Sequence, residues 1–174
     1  VVELEDADGA VGVGTAGFGN PASIDVLRQL EPLVVGRAPS EVAHVWETMY
    51  RATLNVGRRG VVMHAISAID IALWDLFGQQ LGAPVYELLG GPCRDRLFAY
   101  ATGNDVDWYQ ELGFKAFKLA CPYGPADGLW GLQENEKRIA QARQLIGEEG
   151  ELMLDCYMAF DVEYTVRLAE RLRP

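Results

Sequence analysis

One stretch, residues 61 to 92, leaves the chain few architectural choices: VVMHAISAIDIALWDLFGQQLGAPVYELLGGP. Ile66, Ile69, Leu73, Leu76 and Phe77 fall at helical spacing. Val62, Ala65, Ala68, Ile71 and Ala72 fill most of the remaining circumference, and a helix apolar nearly all round is buried on several sides. Gly82 and Pro84 supply the stop. With Asp70 and Asp75 inside it, the segment reads as too short and too interrupted to cross a bilayer. The expectation is a core helix that serves as a hub for two packed bodies.

A chain of 174 residues accommodates one domain, or one domain and part of another. Its net charge of -10 argues against a broad nucleic-acid or anionic-membrane surface, so neither partner is expected. Three cysteines, Cys93, Cys121 and Cys156, have no CxxC spacing. That excludes a disulfide framework or zinc ribbon and fits a reducing, cytoplasmic compartment. No signal peptide is visible. The chain opens without Met in strand-like sequence, so a natural start further upstream is expected.

VVELEDADGAVGVGTAG alternates around Asp8-Gly9, a hairpin signal. Gly12, Gly14, Gly17 and Gly19 lack the order and spacing of a phosphate loop and read as a glycine-rich strand end. A helix is expected over Pro21 to Leu33, capped by Asn20. A second is expected over Glu41 to Thr53, opened by Ser40. His44 and His64 fall on helices and read as structural. In NVGRRG, Arg58 and Arg59 have the chemistry to receive a carboxylate by bidentate hydrogen bonds. A solvated basic loop is the alternative.

Three strand-helix units follow: strand 96–102 with helix 105–112, strand 114–121 with helix 129–146, and strand 151–157 with helix 162–172. This alternation indicates a parallel sheet, whose strands are expected to be covered on both faces. If the sheet belongs to a barrel, chemistry sits at the C-terminal strand ends, which singles out Thr102, Lys118, Cys121 and Asp155. Asp155 closes an apolar strand, where a carboxylate needs a partner. A hard divalent cation is one such partner and a loop-edge hydrogen bond another. Lys118 lies between Phe117 and Leu119, so it is either a partly sheltered cation or a surface lysine. Lys115 points the opposite way.

AISAIDIALWDLFGQQLGAPVYELLGG resembles the signature of the mandelate racemase branch of the enolase superfamily. KLACPYGPADG and LMLDCYMAFDVEYTVRLAERL are most similar to its L-rhamnonate dehydratase group. The resemblance implies an α/β architecture: an N-terminal α+β capping domain over residues 1–92, then the first three β/α units of a TIM-like (β/α)7β barrel over 93–174. It implies Mg2+ as cofactor, with Asp155 on the first metal-ligand strand. It implies a capping loop near Arg58 and Arg59 that closes over the substrate. The family carries Lys-x-Lys on the second barrel strand; here Lys118 is present and Ala120 replaces the second lysine. Lys118 then acts as an electrostatic stabiliser, and the general base comes from elsewhere.

The implied reaction is dehydration of a sugar acid to a 2-keto-3-deoxy acid, in a homo-oligomer. A racemase or another acid-sugar dehydratase of the branch is the enzymatic alternative, and a non-catalytic assembly module is the other. A full barrel takes roughly 250 residues. The later ligands and the base fall outside these 174 residues, so the chain alone is expected to be inactive.

Overall fold

The computed structural model describes residues 1–17 and 21–173. They form two compact units that divide between Asp95 and Arg96. The expected cap at Asn20 lies outside the described residues, as does Gly19.

In the first unit, β1 (Val2–Glu5) and β2 (Val11–Gly14) pair antiparallel, Val2 opposite Gly14 and Glu5 opposite Val11. The Asp6 carboxylate closes the turn by accepting the N–H groups of Asp8 at 3.0 Å and Ala10 at 2.9 Å. Helices α1 (Ala22–Val34), α2 (Val42–Ala52), α3 (Val61–Leu81) and α4 (Val85–Leu88) follow. Ser40 does not open α2. A 3-10 turn over Pro39–Glu41 precedes it, and the Glu41 carboxylate reaches back to the Ala38 N–H at 2.9 Å. Glutamate three positions past the cap has the length for that reach, and serine does not.

Helix α3 organises the unit. Its 21 residues are long and apolar enough to span a bilayer by length and composition, which corrects the expectation that the segment is too short. Its burial assigns it to a core instead. Ala65, Ile66, Ile69 and Leu73 pack with Leu30 and Val34 of α1 and Val45 and Met49 of α2. Gly82, in the left-handed conformation at φ +61°, ends it as expected.

The glycines of β2 allow that strand to lie directly on α3. A Cβ on Gly12 would overlap the Ala72 carbonyl oxygen, and one on Gly14 the Ala68 carbonyl oxygen. Asp75, an interruption in the apolar pattern, fastens the hairpin: its Oδ2 accepts the Val13 N–H at 2.8 Å. Gln79 Nε2 donates to the Val11 carbonyl at 2.9 Å, and Gln80 Nε2 donates to Asp6 at 2.7 Å.

The second unit contains β3 (Ala101–Thr102), α5 (Val106–Glu111), β4 (Ala116–Ala120), α6 (Gly128–Ile146), β5 (Glu151–Asp155) and α7 (Val162–Arg171). The strands are parallel in the order β3-β4-β5. Phe117, Leu119, Leu152 and Leu154 form one cluster with Val106 of α5 and Ala142 and Ile146 of α6. Both crossover helices therefore cover the same face. Sequential strand order with helices on one face is the winding of a barrel wall, as opposed to a doubly wound sheet.

Three expectations change here. The expected strand 96–102 shrinks to Ala101–Thr102, because among the described residues only Phe117 and Lys118 pair with it. Leu97 and Phe98 are consequently 80% and 73% exposed. The expected cover on both faces is present on one only; Lys118, Ala120, Met153 and Asp155 on the other are partly exposed. Strand β5 stops at Asp155 and not at Tyr157, since Tyr157 and Met158 turn the chain with positive φ of 48° and 58°.

Candidate functional site

Register and alternation place the polar residues. Lys118 pairs with Thr102 on one side and Met153 on the other, and Ala120 pairs with Asp155. Side chains two apart share a face. Lys118, Ala120, Met153 and Asp155 thus occupy the face that α5 and α6 leave uncovered, at the C-terminal half of the strands. Lys118 Nζ lies 3.4 Å from Asp155 Oδ2, with the side chains 25% and 32% exposed. The other carboxylate oxygen accepts the Tyr157 N–H at 3.0 Å, which also forces the turn after β5.

The electrostatics follow from these contacts. The Tyr157 N–H and then the Lys118 ammonium hold the Asp155 carboxyl below the usual carboxylate value. Asp155 in turn raises Lys118 above the usual lysine value. Both groups are charged at neutral pH. Tyr100 completes the cluster: Lys118 Nζ sits 5.2 Å from its ring centroid, within cation-π range. Tyr100 was not singled out from the sequence. Its even spacing from Thr102 was the available signal, but cross-strand register was needed to bring it beside Lys118.

The other candidates behave differently. Thr102 is exposed, and its carbonyl accepts the Tyr109 hydroxyl at 3.3 Å. Cys121 is buried, and burial first, then the neighbouring Cys156, pushes its thiol up to about 12. At neutral pH it rests as the protonated thiol. Ala120, directly opposite Asp155, offers no proton-accepting group where a second lysine would stand. Lys115 is exposed before the start of β4. In the first unit Arg58 and Arg59 are exposed on the loop between α2 and α3. His44 on α2 is exposed, and His64 on α3 is half-buried.

Asp161 is the cap of α7. Its Oδ1 accepts the Tyr164 N–H at 2.7 Å. Among the described residues no three His, Cys, Asp or Glu side chains gather into a metal-binding group. A half-exposed, ionised carboxylate at a strand mouth suits a hard cation as one ligand of several. The residues present fit magnesium to that extent and do not complete a site.

Comparison with known proteins places this geometry. Residues 1–90 match the mandelate racemase / muconate lactonizing enzyme N-terminal domain. Residues 103–174 match the enolase C-terminal domain-like family. A protein of Caldivirga maquilingensis, provisionally named an L-rhamnonate dehydratase, is 48% identical over 174 residues, all of this chain and 44% of its own length. The L-rhamnonate dehydratase of Saccharopolyspora erythraea is 47% identical over 169 residues, 97% of this chain and 43% of its own length. The chain therefore spans less than half the length of these relatives. The crystal structure of rhamnonate dehydratase from Gibberella zeae complexed with Mg superposes with a TM-score of 0.84 at 37% identity, covering 98% of this chain and 42% of that one. With a capping-domain match over its first 90 residues and barrel-type β/α units after them, this chain belongs to the mandelate racemase / muconate lactonizing enzyme family of the enolase superfamily.

Proposed function

We propose that this chain serves, within a protein of its relatives' full length, a magnesium-dependent dehydratase of sugar acids of the L-rhamnonate type. The supporting observation is the Lys118–Asp155 pair, 3.4 Å apart at neighbouring strand mouths on the uncovered face of the sheet. The substrate is a 2,3-dihydroxy carboxylate. Magnesium, when bound, supplies Lewis-acid stabilisation to the substrate's carboxylate end, a contribution of about several kcal/mol.

The residues of this chain have separate tasks. Asp155 contributes one anionic oxygen ligand. Its depressed pKa keeps that oxygen ionised wherever the enzyme works. Lys118, held cationic by the same contact, faces the negative charge that grows on the carboxylate as the α-proton leaves. With Ala120 opposite Asp155, a base from another part of the protein removes that proton. Departure of the 3-hydroxyl then gives a 2-keto-3-deoxy acid. Arg58 and Arg59 are proposed as contacts to the carboxylate or as capping groups, on the chemistry of the guanidinium fork. The working form is proposed as a cytoplasmic homo-oligomer without nucleic-acid or membrane partners, in keeping with the net charge of -10.

The test is a panel of acid sugars offered to the full-length protein with and without magnesium, read as 2-keto acid formed. Magnesium-dependent turnover of a sugar acid supports the reading. Failure to bind magnesium in calorimetry, together with no turnover of any sugar acid, overturns it. The 174-residue chain alone is expected to give no product.

A further inference from the structure

We propose that Cys121 and Cys156 form a redox-modifiable dithiol that peroxide converts into a disulfide between β4 and β5, on the rung next to Asp155. The last paired rung of β4 and β5 joins Ala120 to Asp155, and Cys121 and Cys156 are the residues that directly follow it on the two strands. The Cys121 N–H donates to the Asp155 carbonyl at 2.9 Å, which ties the two strand ends together beside the cysteines. Opposed residues on neighbouring strands lie about 4.8 Å apart. That spacing falls within the roughly 4.4–6.8 Å separation of Cα atoms that a disulfide spans. Alternation carried one step past the strand ends turns Cys121 to the side of Leu119 and Cys156 to the side of Leu154, the same face. Cys156 lies near enough to add, after burial, to the upward shift of the Cys121 thiol. Cys121 also borders a cavity of about 280 Å³ between β4 and α6, which leaves its side chain room to turn.

Both cysteines are free thiols, Cys121 buried and Cys156 partly exposed. An oxidant therefore meets Cys156 first. Peroxide transfers one oxygen atom to Cys156 Sγ, giving a sulfenic acid and one water. Cys121 Sγ then attacks that sulfur. The S–S bond forms, and the sulfenic hydroxyl leaves with the Cys121 proton as a second water. Two thiols are oxidised and one peroxide is reduced to two waters. Cys93, exposed in the first unit, belongs to neither step.

The experiment uses the chain carrying Cys93→Ser, treated with hydrogen peroxide, alkylated after denaturation and mapped by mass spectrometry. The expected product has lost two hydrogens, yields a peptide joining Cys121 to Cys156, and returns to the dithiol with dithiothreitol. Cross-linking in the folded chain should run about tenfold or more faster than in the chain denatured beforehand, since folding pre-positions the pair. Two outcomes overturn the proposal. In one, Cys156 advances to sulfinic acid while Cys121 stays open to alkylation. In the other, folded and denatured chains cross-link at the same rate. The single variants Cys121→Ser and Cys156→Ser should each abolish the linked peptide. If either fails to fold, the folded-against-denatured comparison still decides.

Discussion

The two units of this chain use an apolar sequence in opposite ways. In the first, α3 is enclosed by β1, β2, α1 and α2, and even its backbone is in contact at Gly12 and Gly14. Charged residues on that helix are absorbed into packing: Asp75 receives the Val13 N–H of the hairpin. In the second, Phe117 and Leu119 of β4 and Leu152 and Leu154 of β5 face α5 and α6. The alternate positions are left for Lys118 and Asp155. A helix whose apolar positions are spent on packing from several sides keeps little surface on which to build chemistry. A sheet covered on one side keeps every second residue available, which is why barrels host so many reactions at their strand ends.

The largest effect should come from the uncovered face. On the proposed role of Asp155 as a magnesium ligand, Asp155→Asn in the full-length protein should lower the proposed dehydratase turnover about a thousandfold. Its urea midpoint should fall no further than that of a surface substitution. Calorimetric magnesium binding and urea unfolding check the two halves. A core-like loss of stability would erase the contrast between the units.

Ile66→Ala is the counterpart in the enclosed unit. Ile66 is fully buried, so the truncation should cost about 3 kcal/mol in urea unfolding through lost burial and the cavity left behind. Gly14→Ala should follow at about 2 kcal/mol, because the added methyl meets the Ala68 carbonyl and the hairpin must lift from α3. An unchanged Gly14→Ala protein would mean that strand and helix are not in direct backbone contact.

The enclosed unit was the more legible of the two. An unbroken helical apolar pattern with Gly82 behind it can be satisfied in few ways, and α3 ends at Leu81 with Gly82 beyond it. The Asp8-Gly9 hairpin needs only local turn chemistry. Where the reading of the third strand failed, the deciding interaction was not local. Residues 96–100 carry strand-like composition, yet a strand exists by pairing, and β3 pairs at two positions. The start of α2 turned on a glutamate reaching back to Ala38, where Ser40 had the better propensity.

At the site, Lys118 and Asp155 were legible because parity and strand ends are sequence properties, and the family likeness added the metal. Tyr100 beside Lys118 depends on register between strands, so it was missed. The same holds for the buried Asn135, whose Nδ2 donates to the Tyr123 carbonyl at 2.8 Å and the Tyr164 hydroxyl at 3.2 Å. On a helix pattern it reads as one more polar position.

The smallest effect, and the sharpest on environment, is the pH dependence of two aspartates. Asp155 is held below its ordinary value by the Tyr157 N–H and Lys118. Its contribution to stability is present above the unfolded value of 3.8 and is lost as pH falls through the folded value. Asp70 on α3 is raised by burial. Folding then favours its protonated form, so its carboxylate opposes folding at neutral pH, and the opposition fades as pH falls through the raised value. Asp155→Asn should therefore lower the melting temperature at neutral pH, and Asp70→Asn should raise it. Both differences should shrink with falling pH, that of Asp70→Asn first, as pH falls through the raised value, and that of Asp155→Asn last, below 3.8. Asp6, also held low in the hairpin, is common to both variants and cancels from the comparison. Melting curves of the two variants against the parent chain, at neutral and acid pH, read the sign directly. Shifts of the same sign would mean that the enclosed helix and the open sheet face present one electrostatic environment to a carboxylate.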